Sequence, residues 1–423
     1  MNRDFDSNRV VEFIRKINFV RFAATENEQR AADIIKSELD AIGLETALHH
    51  FPMATSHASQ AAFKFLEPYQ KSVNITHRVL SGETPAEGIS AGFKYIESGG
   101  ERFCEDIENK VVMLTNRIDR EIYARLSRHK AASVLMPTNL NQELYTLGFD
   151  IDFVKKFGNL PICFIGYEDA LEMVKNKISK VHLLLRDSVD LNATGTNVIA
   201  GIEGSQEPDT EFLFVAHYDS VLSTGIYDNA AGTATVIELA RYFQRNRPKR
   251  TVRFILFSGE ELGLRGSKAY VADLKQKEDA LKRIRLVFNF DLGGTILGRN
   301  CVRITGPEEM FHFIDAWNKI EDWDFLVEND IYSSDNMPFG LEGIPSINIL
   351  RTSLGIGHAL NDSIEHIAPA AFEIFGAFAI KLTSQIINAP VLPFKRCVGK
   401  NMATKIKEYF DSRSPEEPEI TDE

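Results

Sequence analysis

The chain of 423 residues is 44% hydrophobic and 26% charged, with 27 glycines and 15 prolines, a globular balance that excludes collagenous and low-complexity chains. That length predicts two domains, or one large domain carrying an insertion. Acids outnumber bases 60 to 48, a formal charge of −12, which is the wrong sign for a nucleic-acid backbone or an anionic membrane surface. Neither is an expected partner.

The first residues, Met1 to Arg9, show no apolar core behind a basic start, so export is not expected. From Glu28 to Ile42, apolar residues at Ala31, Ala32, Ile34, Ile35, Leu39 and Ile42 have the spacing of a helix packed on a sheet. Between about His57 and Leu191 short β-like runs (Ala61–Phe65, Lys110–Leu114, Ser133–Met136, Leu160–Ile165, Val181–Leu185) alternate with turn-rich stretches, which predicts an inserted, smaller β-rich domain over 57–190. From Thr196 onward the pattern changes. Apolar runs of strand length, Asn197–Ile202, Phe212–Ala216, Val252–Phe257, Leu286–Phe290 and Ser346–Leu350, alternate with the helical stretches Ala230–Phe243 and Gly266–Leu274. Such alternation predicts an α/β domain, a mostly parallel central sheet with helices on both faces, built from 1–56 and 191–395.

The longest apolar stretch, Ala370 to Ile387, contains Glu373 and Lys381 and reads as a packed amphipathic helix of a soluble protein. Residues 411–423 hold six acids, one base and two prolines, and the expectation there is a disordered acidic tail. The four cysteines are far apart with no CxxC pair, which argues against a thiolate metal cage or a disulfide framework and for a reducing, cytoplasmic setting.

Metal-ligand residue types recur at the ends of the predicted strands. Phe212–Ala216 runs into His217-Tyr218-Asp219, and Gly225–Gly232 carries Asp228-Asn229, with Asp228 where a helix-starting carboxylate is favoured. Val252–Phe257 delivers Glu260-Glu261, Leu286–Phe290 delivers Asp291, and Ser346–Leu350 precedes His358. Strand ends of an open α/β sheet converge on one crevice. Singly, each motif has a blander reading as a surface pair, a cap or a loop acid; their shared placement is what argues for a site. Two imidazoles among several carboxylates suit Zn²⁺, and the number of carboxylates suggests two ions sharing a bridging one. One of Glu260 and Glu261 can ligate while its neighbour acts as general base on a metal-activated water, which points to hydrolysis.

These motifs, with Phe257–Ser267 (FSGEELGLRGS), Asn289-Phe-Asp291, Ser334-Asp335, Pro338-Phe339 and His358-x-x-x-Asp362-Ser363, resemble those of the two-zinc aminopeptidases, the family that also holds aminopeptidase Y, glutamate carboxypeptidase and the glutaminyl cyclases. The resemblance covers about residues 190–390 and the segment around Thr25-Glu26-Asn27-Glu28. The stretch with Ile107–Leu114 and Ala131–Pro137 is similar to a protease-associated insert. The resemblance implies that His217 and Asp291 bind one zinc, Glu261 and His358 the other, with Asp228 bridging both and Glu260 as general base. It makes Asp219 an outer acid that orients the His217 ring; Asp362 either does the same for His358 or caps a helix before Ile364, and Asp335 supports the pocket floor or caps a loop. The remaining histidines match no family position. Several relatives carry Tyr before the last histidine ligand; here the residue is Gly357, and Tyr227, Tyr332 or a residue of the inserted domain are the candidates to replace that phenol.

The expected activity is zinc-dependent removal of N-terminal residues from peptides through a metal-bridging water, with Co²⁺ or Mn²⁺ as possible substitutes. A dipeptidase or carboxypeptidase of the same fold, which would need a cation such as Arg351 for the substrate carboxylate, is the alternative. A glutaminyl cyclase fits less well, because those relatives keep one metal and usually lack a large insert. A non-catalytic peptidase-like binding domain predicts lost ligands, whereas all are present. An oligomer is possible but not readable.

Overall fold

The structure is a computed structural model that describes residues 4–140 and 142–416. The chain forms two compact units, one from Met1–Met53 with Thr194–Lys407, the other from Ala54–Ala193 with Glu408–Glu423. Two of the three joins lie inside long strands, Ala47–Glu67 and Lys180–Ile202, and the third inside the helix Lys400–Arg413.

In the first unit the strands lie in the order Leu326–Asn329, Gly298–Thr305, Ser346–Ser353, Ile284–Phe290, Glu207–His217, Arg250–Phe257, followed by the end of Lys180–Ile202. The central pairs are parallel; Gly298–Thr305 runs antiparallel to Ser346–Ser353 but parallel to Leu326–Asn329, and the Val198–Ile202 stretch runs antiparallel to Arg250–Phe257. Alternate residues of one strand serve opposite faces, as the pleat requires. Phe212, Phe214 and Ala216 join a core shared with the helices Ser7–Lys16, Glu26–Ala41, Ala231–Arg245 and Ala370–Asn388. Leu213 and Val215 join a second core with Val271 and Phe339 from helices on the other side. The expected mostly parallel sheet with helices on both faces is therefore what forms. Ala370–Asn388 is apolar because Phe372, Phe375, Phe378, Leu382 and Ile386 are buried in that first core.

The parallel register sets Phe257 beside His217 and Asn289 beside Val215, so the segments after three adjacent strands leave the sheet at one edge. That edge carries the candidate site.

The second unit holds the parallel strands Ile89–Tyr95, Val111–Met113, Ser133–Pro137 and Ile162–Ile165. With the long strands that enter it and the short ones Lys71–Val73 and Ile75–His77 it has the β-rich content expected, and it also contains three helices that the sequence reading did not name, Arg120–Arg128, Ile151–Phe157 and Tyr167–Lys175. Those helices are short and bury only a few side chains each, too few for a periodic signal to stand out. The tail expectation also changes. A helix runs over Lys400–Arg413, burying Met402 and Ile406, so order extends past Asp411; residues 417–423 lie outside the described ones.

Candidate metal centre

The site is assembled by the segments leaving that edge. His217 ends its strand and is 1% exposed. Asp228 sits in the turn Ile226–Ala230, off helical geometry (φ −126°, ψ 85°). It does not cap the next helix, contrary to the sequence reading. Asn229 takes that role: its Oδ1 accepts from the Gly232 amide at 2.9 Å while its Nδ2 donates to the Phe290 carbonyl at 2.8 Å. Both oxygens of Asp228 are thereby left to face the crevice.

One lies 3.1 Å from His217 Nε2 and the other 3.0 Å from His358 Nε2. Asp291 Oδ1 stands 3.3 Å from His217 Nε2, and Glu261 Oε2 stands 3.1 Å from His358 Nε2. The five residues form two triads, His217, Asp228, Asp291 and Asp228, Glu261, His358, whose ligand atoms lie within 4.8 Å of one another in each. Asp228 is common to both. Among the described residues these are the only such groups of three or more.

The electrostatics are those of a site built for cations. Glu261 Oε1 and Asp291 Oδ1 are buried without a hydrogen-bond partner, an expense that a protein interior rarely tolerates. Desolvation favours a neutral ring, but the facing carboxylates outweigh it and raise both His217 and His358 well above their ordinary value. Protons thus stand where a positive ion would. The same two histidines hold Asp228 below the usual carboxylate range despite its burial. Imidazole and carboxylate donors around a buried charge deficit suit Zn²⁺.

Glu260, like Glu261, follows the strand Arg250–Phe257. Burial raises its carboxyl well above the usual range, opposed by His217 and reinforced by Glu261, Asp291 and Asp335. Asp219 does more than the sequence suggested: besides lying 3.5 Å from His217 Nδ1, its two oxygens accept from the amides of Glu260 (3.2 Å) and Glu261 (3.3 Å). His217 Nδ1 also lies 3.3 Å from the Asp219 carbonyl oxygen, so one residue sets the ring and the glutamate turn together. Asp335 is fully buried beneath the centre, and burial lifts its pKa to about 7.

The Asp362 carboxylate is bound neither to the His358 ring nor to the turn before Ile364; it accepts from the amides of Ile226, Tyr227 and Asp228. A Cβ at 357 would stand in ordinary contact with the Tyr227 ring, at 3.5 Å. Tyr332 reaches the Asp291 carbonyl with its hydroxyl at 3.4 Å. Arg351 is tied to the carbonyls of Thr295 and Ile296 and to Asn300.

Two supporting residues escaped the sequence reading as individuals. Arg21, 0% exposed, donates to the carbonyls of Ile17, Phe19, Tyr218, Thr224 and Gly225. Glu28 accepts from the Tyr218 hydroxyl and the Thr196 amide. A lone Arg after Phe19-Val20 carries no signal in sequence, because its partners are main-chain atoms, two of them local and the other three 197 to 204 positions away.

A buried centre of two imidazoles and three carboxylates at the carboxyl edge of a mostly parallel sheet defines a metal-dependent hydrolase of the α/β class. Residues 197–383, which contain every one of these ligands, match the profile of Peptidase family M28, and with it the resemblance to the two-zinc aminopeptidases holds. The chain is 26% identical over 412 residues to aminopeptidase YwaD of Bacillus subtilis (strain 168), covering 92% of this chain and 86% of that protein. Among solved structures it is similar to BSAP, a zinc aminopeptidase from Bacillus subtilis (TM-score 0.74, 22% identity, 93% and 98% of the two chains). The peptidase M28 precursor from Shewanella amazonensis SB2B shares the fold at TM-score 0.76 with 21% identity, over 92% and 95%.

Proposed function

We propose that this chain is a zinc-dependent aminopeptidase that removes N-terminal residues from peptides. The observation that carries the reading is Asp228, which offers one oxygen to each of two separate triads. In this reading His217 and Asp291 hold one zinc, Glu261 and His358 the other, and Asp228 serves both. Zinc bound there would supply Lewis acidity, polarising the peptide carbonyl and acidifying water.

The chain's own residues do the rest. Glu260 takes the proton from the attacking water and returns it to the leaving amine. Burial raises its affinity for a proton, which suits an acceptor, and nearby cations would lower that affinity again. Asp219 holds Glu260 and Glu261 in register through their amides. Arg351, the cation that a carboxypeptidase reading requires, is already engaged by three acceptors, which favours recognition of a free amino end. The second unit reads as a protease-associated-like domain. A cytoplasmic setting is in keeping with the four free cysteines.

The test is to purify the protein, measure its metal content, and compare aminoacyl anilides with their N-blocked forms. Free amino substrates should turn over with about two zinc per chain. Turnover of only the blocked forms would sink the aminopeptidase reading while leaving hydrolysis intact. Glu260→Gln should lower kcat by on the order of 10²-fold or more and leave zinc content unchanged.

A further inference from the structure

The two triads are not equally well held. His217 ends a central strand and its side chain is 1% exposed, whereas His358 lies on a loop, at φ 57°, with a side chain 33% exposed. Backbone hydrogen bonds within that loop are few: Ala359 to Ile356 at 3.4 Å and Asp362 to Ala359 at 3.1 Å. What ties it to the rest of the centre is Asp362, four residues on and 1% exposed.

Asp362 Oδ1 accepts from the amides of Ile226 (3.0 Å) and Tyr227 (2.7 Å), and its Oδ2 accepts from the amide of Asp228 (3.0 Å). Three successive amides converging on one carboxylate form an anion-binding nest. The Asp362 carbonyl is bound in turn by the Thr224 hydroxyl at 3.1 Å. From the other side Arg21 grips the carbonyls of Thr224 and Gly225. One residue thus joins the loop of one terminal ligand to the turn of the shared carboxylate, and it does so at the Asp228 amide itself.

We infer that Asp362 is a positioning residue that sets the His358 loop against Asp228 and thereby makes Asp228, Glu261 and His358 a second metal position. The inference rests on the two-zinc reading of the centre. It predicts an unequal response to mutation, because the His217 triad is built on strand ends and needs no such tie. In Asp362→Asn, the side-chain carbonyl can keep two amides, but an NH₂ group then faces the Asp228 amide, donor against donor.

The experiment strips the full-length protein with chelator and titrates Zn²⁺ against a chromophoric competitor. Wild type should take two equivalents. Asp362→Asn should keep the first at wild-type affinity and bind the second about 10- to 100-fold more weakly, the usual scale for loss of an outer-shell partner. Both equivalents at wild-type affinity, or both weakened alike, would overturn the inference. Wild type that takes only one equivalent would instead refute the two-zinc reading. A measurement without any variant covers the case in which the Asn protein does not fold: hydrogen exchange at the Ile226, Tyr227 and Asp228 amides of metal-free wild type. They should be protected, and rapid exchange there would equally overturn the inference.

Discussion

Arg21 shows how much of the centre is held by residues that never touch it. Its guanidinium is fully buried without a direct carboxylate partner and donates to five main-chain carbonyls, three of them from the segment between His217 and Asp228. Burial lowers its pKa to about 10, with Asp362, Asp219 and Asp228 favouring the charge, so it remains a cation at neutral pH. Only arginine offers five donors in a fixed fork; lysine has three around one atom. Arg21→Met leaves several buried carbonyls unpaired, each a loss of about 1–3 kcal/mol before relaxation. The expected outcome is a drop of roughly 3 kcal/mol in unfolding free energy by urea titration, with weaker zinc retention. Arg21→Lys should fall between the two. Wild-type stability in the Met variant would show that the carbonyls find other donors.

At the scale of elements, the helix Ala231–Arg245 starts against the end of the strand Ile284–Phe290, and Gly232 is where they meet. A Cβ there would lie 2.2 Å from the Phe290 carbonyl oxygen and 2.4 Å from Asn229 Oδ1, closer than any real contact. The strand end cannot yield without moving Asp291, nor can Asn229 yield without moving Asp228. Gly232→Ala is therefore expected to cost about 1–3 kcal/mol by overpacking and, beyond that, to lower zinc affinity. Thermal melting with and without zinc separates the two effects, and an unchanged zinc-induced shift in the variant would refute the second. Much of this level was readable in sequence. Strands buried on both faces appear as continuous apolar runs, and the charged motifs after Phe212–Ala216, Val252–Phe257 and Leu286–Phe290 stand out against them. What was not readable is contact chemistry: the sequence reading placed Asp228 as a helix cap because the residue type allows it, whereas packing gives the cap to Asn229. The strand Gly298–Thr305 (GRNCVRIT) was missed because polar residues interrupt its apolar ones. The helix Lys400–Arg413 buries only Met402 and Ile406, so its periodicity is hidden among lysines and acids.

At the scale of the whole molecule, buried acids and imidazoles gather at one place, and this makes both stability and zinc affinity depend on pH. In the metal-free protein, burial lifts Glu28 and Asp335 to about 7 from unfolded values of 4.5 and 3.8. Between those limits the folded state binds more protons than the unfolded one, so stability falls as pH rises. His217 and His358 are raised above 6.5; their contribution is complete below that value and is lost as pH climbs through the folded pKa, the same direction. Asp228, lowered by the two histidines, contributes above its unfolded value of 3.8 and is lost only in stronger acid, outside this window. Zinc must displace the protons on the histidines to bind, so its affinity grows with pH. The melting temperature in chelator should therefore decline from pH 5 to pH 8, while the gap between zinc-loaded and metal-free protein widens across the same range. Calorimetry at matched ionic strength checks both. A metal-free protein that gains stability over that range, or a zinc gap that narrows, would mean that these buried acids and imidazoles are not held together in the folded chain as the geometry places them.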